Sequence, residues 1–200
     1  MIQIELSGIE RIEEALNGME NKAPSVLKSA LNATAKEARK ELANKAKKTY
    51  AVKISGFNKT MKIKNATVGK LEAEIKTKGE AMELGQFRAS PFKVTNGEDR
   101  PESMKGKVMK EHQMKDLVKS DIKAFIVRFK SGHVAVVERV PGKKMKSNPK
   151  KEFLKKLLSP SIAQIVGNEK EVYGEIRPRI AQLLQEYINK QIDRILGGEK

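Results

Sequence analysis

Hydrophobic residues return at three- and four-residue intervals through Leu27, Leu31, Ala35, Ala38, Leu42 and Ala46. This spacing predicts a long helix over residues 25–50, with Pro24 suited to its first turn. The stripe is narrow and rich in alanine, which lets the helix approach a sheet closely. The other faces carry Lys28, Lys36, Arg39, Lys40, Lys45, Lys47 and Lys48. Ahead of it, Ile9, Ile12, Leu16 and Met19 share one face of a short helix. Ser7 is the expected cap of that helix, and Asn17-Gly18 ends it. Further on, Ile54, Phe57 and Met61 are brought together by a short helix or turn over residues 54–60.

The period then changes from helical to alternating. Within residues 68–77, Leu71, Ala73 and Ile75 fall on one side of a strand, and Glu72, Glu74 and Lys76 on the other, with Gly69 and Gly79 at its ends. Residues 85–105 contain Gly85, Pro91, Gly97 and Pro101 and predict a long irregular connection. A strand is expected over 107–111. Two runs rich in Val, Ile and Phe, 124–129 and 133–140, flank Lys130-Ser131-Gly132, the pattern of a β-hairpin with glycine at the turn. In the second arm Val134 and Val136 alternate with Ala135 and Val137, which predicts burial on both faces. Pro141-Gly142 is expected to break that strand. Ser159-Pro160 opens a short turn or helix bearing Ile162, Ile165 and Val166, stopped by Gly167-Asn168. A final helix, firm from Pro178, carries Ile176, Ile180, Leu183, Leu184, Tyr187, Ile188, Ile192, Ile195 and Leu196, and Gly197-Gly198 ends it.

These elements predict an α+β fold. A three- or four-stranded antiparallel sheet is packed by the long N-terminal helix, and a C-terminal helix follows. Residues 1–140 are expected to form the α+β core domain. Residues 141–200 form a basic connection and helical segment, packed on that core or on a neighbouring subunit.

A chain of 200 residues suits this size of core, but only 4% of it is aromatic, so the interior must be built mainly from aliphatic residues. Cysteine is absent, which removes disulfides, thiolate metal sites and cysteine nucleophiles together. The longest uninterrupted apolar runs are about four residues, far short of the roughly 20 that span a bilayer. The N-terminus has neither a basic leader nor an apolar signal core.

Charge changes the picture most. With 41 Lys+Arg against 25 Asp+Glu, the formal net charge is +16, which favours an acidic partner such as nucleic acid or a negatively charged protein ring. Lysine supplies most of it, and lysine is a hydrated point charge rather than a bidentate reader of base edges. The densest cluster is Lys143, Lys144, Lys146, Lys150, Lys151, Lys155 and Lys156. Met145, Phe153, Leu154, Leu157 and Leu158 interleave with it, so the segment is expected to order against a neighbouring subunit. Lys36, Arg39, Lys40, Lys47 and Lys48 form the second candidate set for contact with DNA or an acidic partner. Ile180, Leu184, Tyr187, Ile188, Ile192 and Ile195 are the candidate subunit interface, with a core role as the other reading of the same stripe.

Catalytic patterns are missing. His112 and His133 stand alone without a partner at metal-ligand spacing. Phosphate-loop, dinucleotide and nucleophile-elbow motifs do not occur. Glu72/Glu74 and Glu13/Glu14 read as exposed charges rather than an acid–base pair. No enzyme activity, cofactor or metal is expected.

The hairpin FIVRFKSGHVAVVERV, the turn SPSIAQIVGN and the terminal helix ending INKQIDRIL resemble the minor tail protein Z family of long-tailed phages. The Ala-rich helix and the basic stretch 52–64 resemble it more weakly, and residues 80–120 carry no family motif. The resemblance implies an α+β tail-completion protein at the head-proximal end of the tail, enabling head–tail joining. It further implies a homo-oligomeric ring, a hexamer like the tail tube, among other tail or head–tail connector proteins. Location in the virion tail after assembly in the bacterial host cytoplasm follows from the same resemblance. In such a ring the lysines would meet double-stranded DNA without reading its sequence, and no membrane is involved. The alternatives are a stand-alone non-specific nucleic-acid-binding protein and an adaptor whose basic face meets an acidic protein ring.

Overall fold

The computed structural model describes residues 2–4, 9–16, 18, 20–53, 56–95 and 99–197. In chain order its first elements are β1 (Ile2–Ile4), α1 (Ile9–Ala15), α2 (Ala23–Thr49), α3 (Phe57–Thr60), β2 (Met61–Lys64) and β3 (Ala73–Thr77). Short strands follow: β4 (Met82–Glu83), β5 (Arg88–Ser90), β6 (Lys105–Lys107), β7 (Lys115–Asp116), β8 (Val118–Lys119) and β9 (Ile122–Lys123). The chain closes with β10 (Phe125–Arg128), β11 (Val134–Met145), β12 (Asn148–Lys156), β13 (Leu158–Ser159), α4 (Ile162–Val166) and α5 (Tyr173–Leu196). Helix and antiparallel strand are mixed throughout, so the fold is α+β.

Two compact units are interleaved along the sequence. One comprises Met1–Ala46, Gly56–Gly79 and Ile162–Lys200, the other Lys47–Ser55 and Glu80–Ser161. The expected boundary at residue 140 falls inside β11.

The first unit is organised by α2. Leu27, Leu31, Ala35, Ala38, Leu42 and Ala46 are all fully buried. Val26, Ala30, Thr34 and Ala43 are buried as well, so the face is wider than the predicted stripe. Two neighbours account for the width. On one side lie β2 and the connection that follows it: Arg39 donates to Met61 O, and Asn32 Oδ1 accepts from Ala66 N at 2.7 Å while its Nδ2 donates to Ala66 O at 3.2 Å. On the other side lies α5, tied by the ion pairs Lys45–Glu175 and Glu41–Arg179. Numbers rise along α5 as they fall along α2, so the helices are antiparallel. Each leucine taken fully from water here contributes roughly 1.5–3 kcal/mol.

Of the first short helix, Ile12 and Leu16 are buried. Ser7, Asn17 and Met19 lie outside the described residues, as does the side chain of Ile9. Phe57 and Met61 are both buried in the core, whereas Ile54 is outside the described residues. The strand expected over 68–77 is regular only in β3, because Thr67 and Lys70 pair with each other in a tight turn before it. Helix α5 begins at Tyr173, five residues ahead of Pro178. The proline therefore sits inside the helix, where its only lost bond is the one to the carbonyl of Gly174.

The second unit is built on the three-stranded sheet β10-β11-β12. The predicted hairpin is present, with Arg128 opposite Val134 and Gly132 at φ +82°, a left-handed turn position that suits glycine. Phe125, Ala135 and Val137 form its core, while Ile126 and Val136 on the opposite face are buried too. Smaller sheets β5-β6-β7, β4-β13 and β8-β9 complete the unit, in place of the single sheet predicted. The strand expected over 107–111 is displaced to β6, and Met109 makes only an isolated bridge to Tyr50.

One correction matters for function. Pro141-Gly142 does not break the strand: β11 continues to Met145 and returns along β12. The register jumps between Val140 and Lys144, so Pro141 lies in a bulge where no ladder bond asks for its missing N–H. Gly142, at φ +75°, supplies the turn of the chain. The basic stretch is thus not a connection awaiting a partner but a formed hairpin.

Candidate functional site

The seven clustered lysines all lie on the β11–β12 hairpin or its turn, and all are exposed. Met145 opposes Asn148, leaving Lys146-Ser147 as the turn, and Asn148 Oδ1 accepts from Lys150 N at 3.1 Å. The hairpin brings together Lys144, Lys146, Lys150 and Lys151 around its tip. None of these four has an ion-pair partner among the described residues.

Nearer the body, the other three are engaged. Lys143 Nζ sits 4.4 Å above the ring of Phe153, Lys155 pairs with Glu138 at 3.2 Å and Lys156 with Glu83 at 2.6 Å. Glu83 also accepts from His133 Nε2 at 2.8 Å. Burial alone would raise the Glu83 carboxyl, but the bonds from Lys156 and His133 outweigh it and hold the group below its ordinary value. His133 therefore takes part in a hydrogen-bonded surface cluster, and His112 is an exposed loop residue. At the hairpin base Arg100 and Arg139 lie 4.3 and 5.4 Å from the ring of Phe125, a cation–π arrangement no local motif announces.

The second lysine set is divided. Lys36, Arg39 and Lys40 belong to the first unit, Lys47 and Lys48 to the second. Lys36, Lys47 and Lys48 are exposed, the last two in the final turn of α2 where a cation suits the carbonyl end. Arg39 is half-buried and its Nη1 donates to Met61 O at 3.5 Å, so it braces helix against sheet. Lys40 bonds Glu37 at 2.8 Å, and that bond raises its pKa.

The α5 residues are distributed differently from the interface reading. Ile180, Leu184, Ile188 and Ile192 are buried within the chain itself. Tyr187 and Ile195 are half-buried.

Sequence reasoning missed a second basic surface. Lys59, Lys62, Lys64, Lys76 and Lys78 line a concavity of about 470 Å³ on the first unit. The available signal was the alternation in MKIK and IKTK, which places lysine at every second position along β2 and along the end of β3. Beside it lies Glu74, expected to be exposed but only 5% accessible. Its position among lysines explains how a carboxylate is tolerated there. Lys64 is 3.3 Å from Oε1 and Lys70 4.0 Å. Lys76 is 2.6 Å from Oε2, near enough for an ion pair although off the hydrogen-bonding direction. These contacts, Lys76 foremost, lower the Glu74 pKa from 4.5 to about 2.

A lowered pKa means that the folded state binds fewer protons than the unfolded state in that interval. The associated stability is present above pH 4.5 and is lost as pH falls towards 2. Urea midpoints measured over that range are expected to fall with pH, and Glu74→Gln to flatten the descent while lowering the midpoint at neutral pH. An unchanged descent would assign the acid sensitivity to other carboxylates.

Among the described residues no helix is long and apolar enough to cross a membrane, and no group of three or more His, Asp or Glu is placed to hold a metal ion. A family model described as prophage minor tail protein Z (GPZ) matches residues 6–197. No curated protein matches the chain, and no solved structure does.

Proposed function

The chain belongs to the prophage minor tail protein Z family, and we propose that it completes the head-proximal end of a phage tail so that the tail joins a DNA-filled head. A structural place in the virion tail follows from the membership itself. The finer reading adds assembly in the host cytoplasm into a homo-oligomeric ring, six-fold like a tail tube, in contact with other tail or connector proteins. The β11–β12 hairpins point to the lumen and meet the phosphate backbone of the DNA end.

The observation that carries this reading is the hairpin tip, where four exposed lysines have no ion-pair partner among the described residues, on a chain of net charge +16. Unpaired lysines contact phosphates without reading sequence, which suits a protein that must accept any DNA end. The burial of Ile180, Leu184, Ile188 and Ile192 shifts the proposed α5 contribution to the ring onto Tyr187 and Ile195. The same tip supports a second reading, in which it docks on an acidic protein ring and never touches DNA. The experiment is reconstitution: purified protein is added to tails assembled without it, and joining to filled heads is scored.

A further inference from the structure

The first unit carries its own lysine-lined concavity, and we propose that it is a second, separate binding site for the phosphodiester backbone of nucleic acid. The proposal rests on the reading that this protein meets DNA, but it places the contact on β2 and β3 rather than on the hairpin.

Register builds the site. In the sheet β1-β3-β2, strand β2 is an edge, and Lys62 stands directly opposite Lys76. Opposed residues of antiparallel strands have Cα atoms about 5 Å apart, and like charges at that spacing repel. Lys64 follows Lys62 on the same face, roughly 7 Å along the strand. Lys59 joins from α3 and Lys78 from just beyond β3, so the side chains of five lysines line one concavity, with Ile63 and the lysine stems forming much of its wall. Among the described residues their ion pairs reach Glu74, which is shared by Lys64, Lys70 and Lys76. Lys59, Lys62 and Lys78 have no ion-pair partner among the described residues.

A single lysine is enough to protect a sheet edge from pairing with another chain. Five around a concavity, two of them opposed, exceed that need and raise a local field that an anion would relieve. The donor set selects the class of anion. All five charged groups are ammonium, with no guanidinium to grip a carboxylate in two-point fashion. Thr60 offers no hydroxyl hydrogen, because its Oγ1 already donates to Phe57 O at 2.8 Å. Point charges set along a strand fit a chain of evenly spaced phosphates better than one planar acid group.

The test is binding of the full chain to a short labelled DNA duplex across a salt series of about 50 to 200 mM. The variant Lys62→Glu/Lys78→Glu spares Lys64 and Lys76, which neutralise Glu74. It is expected to reduce the salt slope by roughly 1.8 and affinity by more than tenfold, equally for unrelated sequences. Lys62→Gln/Lys78→Gln gives the same direction with less perturbation and decides the matter if the reversal variant does not fold. An unchanged slope in both, with a shallower slope on reversing the hairpin tip, overturns this site and leaves the functional reading standing. No binding by the wild-type chain at the lowest salt overturns this site and the hairpin's DNA contact together, and leaves the acidic-ring reading of the tail role. Loss of binding to a polyglutamate chain with DNA binding intact means an acidic protein is the ligand, and overturns the proposal.

Discussion

Replacing Lys144, Lys146, Lys150 and Lys151 together by Glu is expected to weaken binding to duplex DNA on the order of a thousandfold at about 50 mM salt. The effect is electrostatic. Each neutralised phosphate releases condensed counterion, so four lost contacts make the dependence of log K on log salt shallower by roughly 3.6. The loss is the same for every duplex sequence, because lysines at the tip touch phosphates rather than base edges. Folding is expected to survive, since all four side chains are exposed and none holds an ion pair among the described residues. Reversing Lys155 and Lys156 instead breaks the pairs with Glu138 and Glu83 and destabilises the hairpin base. A salt series that returns the wild-type slope for the tip variant removes the hairpin from the DNA contact.

Phe57→Ala is expected to cost about 3–5 kcal/mol of folding stability, at the upper end of what a single truncation costs. The chain has six phenylalanines and no tryptophan, and Phe57 is among the few large side chains with no exposure. It sits at the start of α3, immediately before the edge strand, and Met61 beside it is also buried. Removing the ring leaves a cavity that this short helix cannot refill by itself. The loss is a large part of the 5–15 kcal/mol typical of a folded protein. Urea unfolding of the variant would show it as a lower midpoint with the slope retained. A loss below about 1 kcal/mol would mean that the site collapses around the smaller residue.

How far the sequence discloses this molecule depends on the range of the interaction. The α2 stripe from Leu27 to Ala46 is legible because helical period and burial coincide in one element. The β10–β11 hairpin is legible because Lys130-Ser131-Gly132 determines its own turn geometry. Pro141-Gly142 misleads, since a local breaker is absorbed as a bulge once β12 pairs across it. Glu74 misleads in the opposite way: alternation places it outward, and only the assembled lysines cover it. The terminal helix shows its apolar stripe plainly, yet periodicity cannot distinguish a side chain facing its own core from one facing another subunit. Ile188 and Ile192 prove to be core.

The candidate site divides along the same line. Charge density marks residues 143–156 in the sequence, but which lysines are free depends on Glu83, far away in the chain. The lysines of β2 and β3 sit on separate short strands, and only the register of Lys62 with Lys76 makes them one surface. Neither relation has a local signature.

The most direct measurement is reconstitution of head–tail joining, read by electron microscopy and by infectivity. Tails assembled without this protein are mixed with DNA-filled heads, with and without the purified chain. The account predicts complete-length tails that stay unjoined until the protein is added, and then bind it at the head-proximal end before joined particles appear. Equal joining in its absence, or binding along the whole length of the tube, would contradict a tail-completion role.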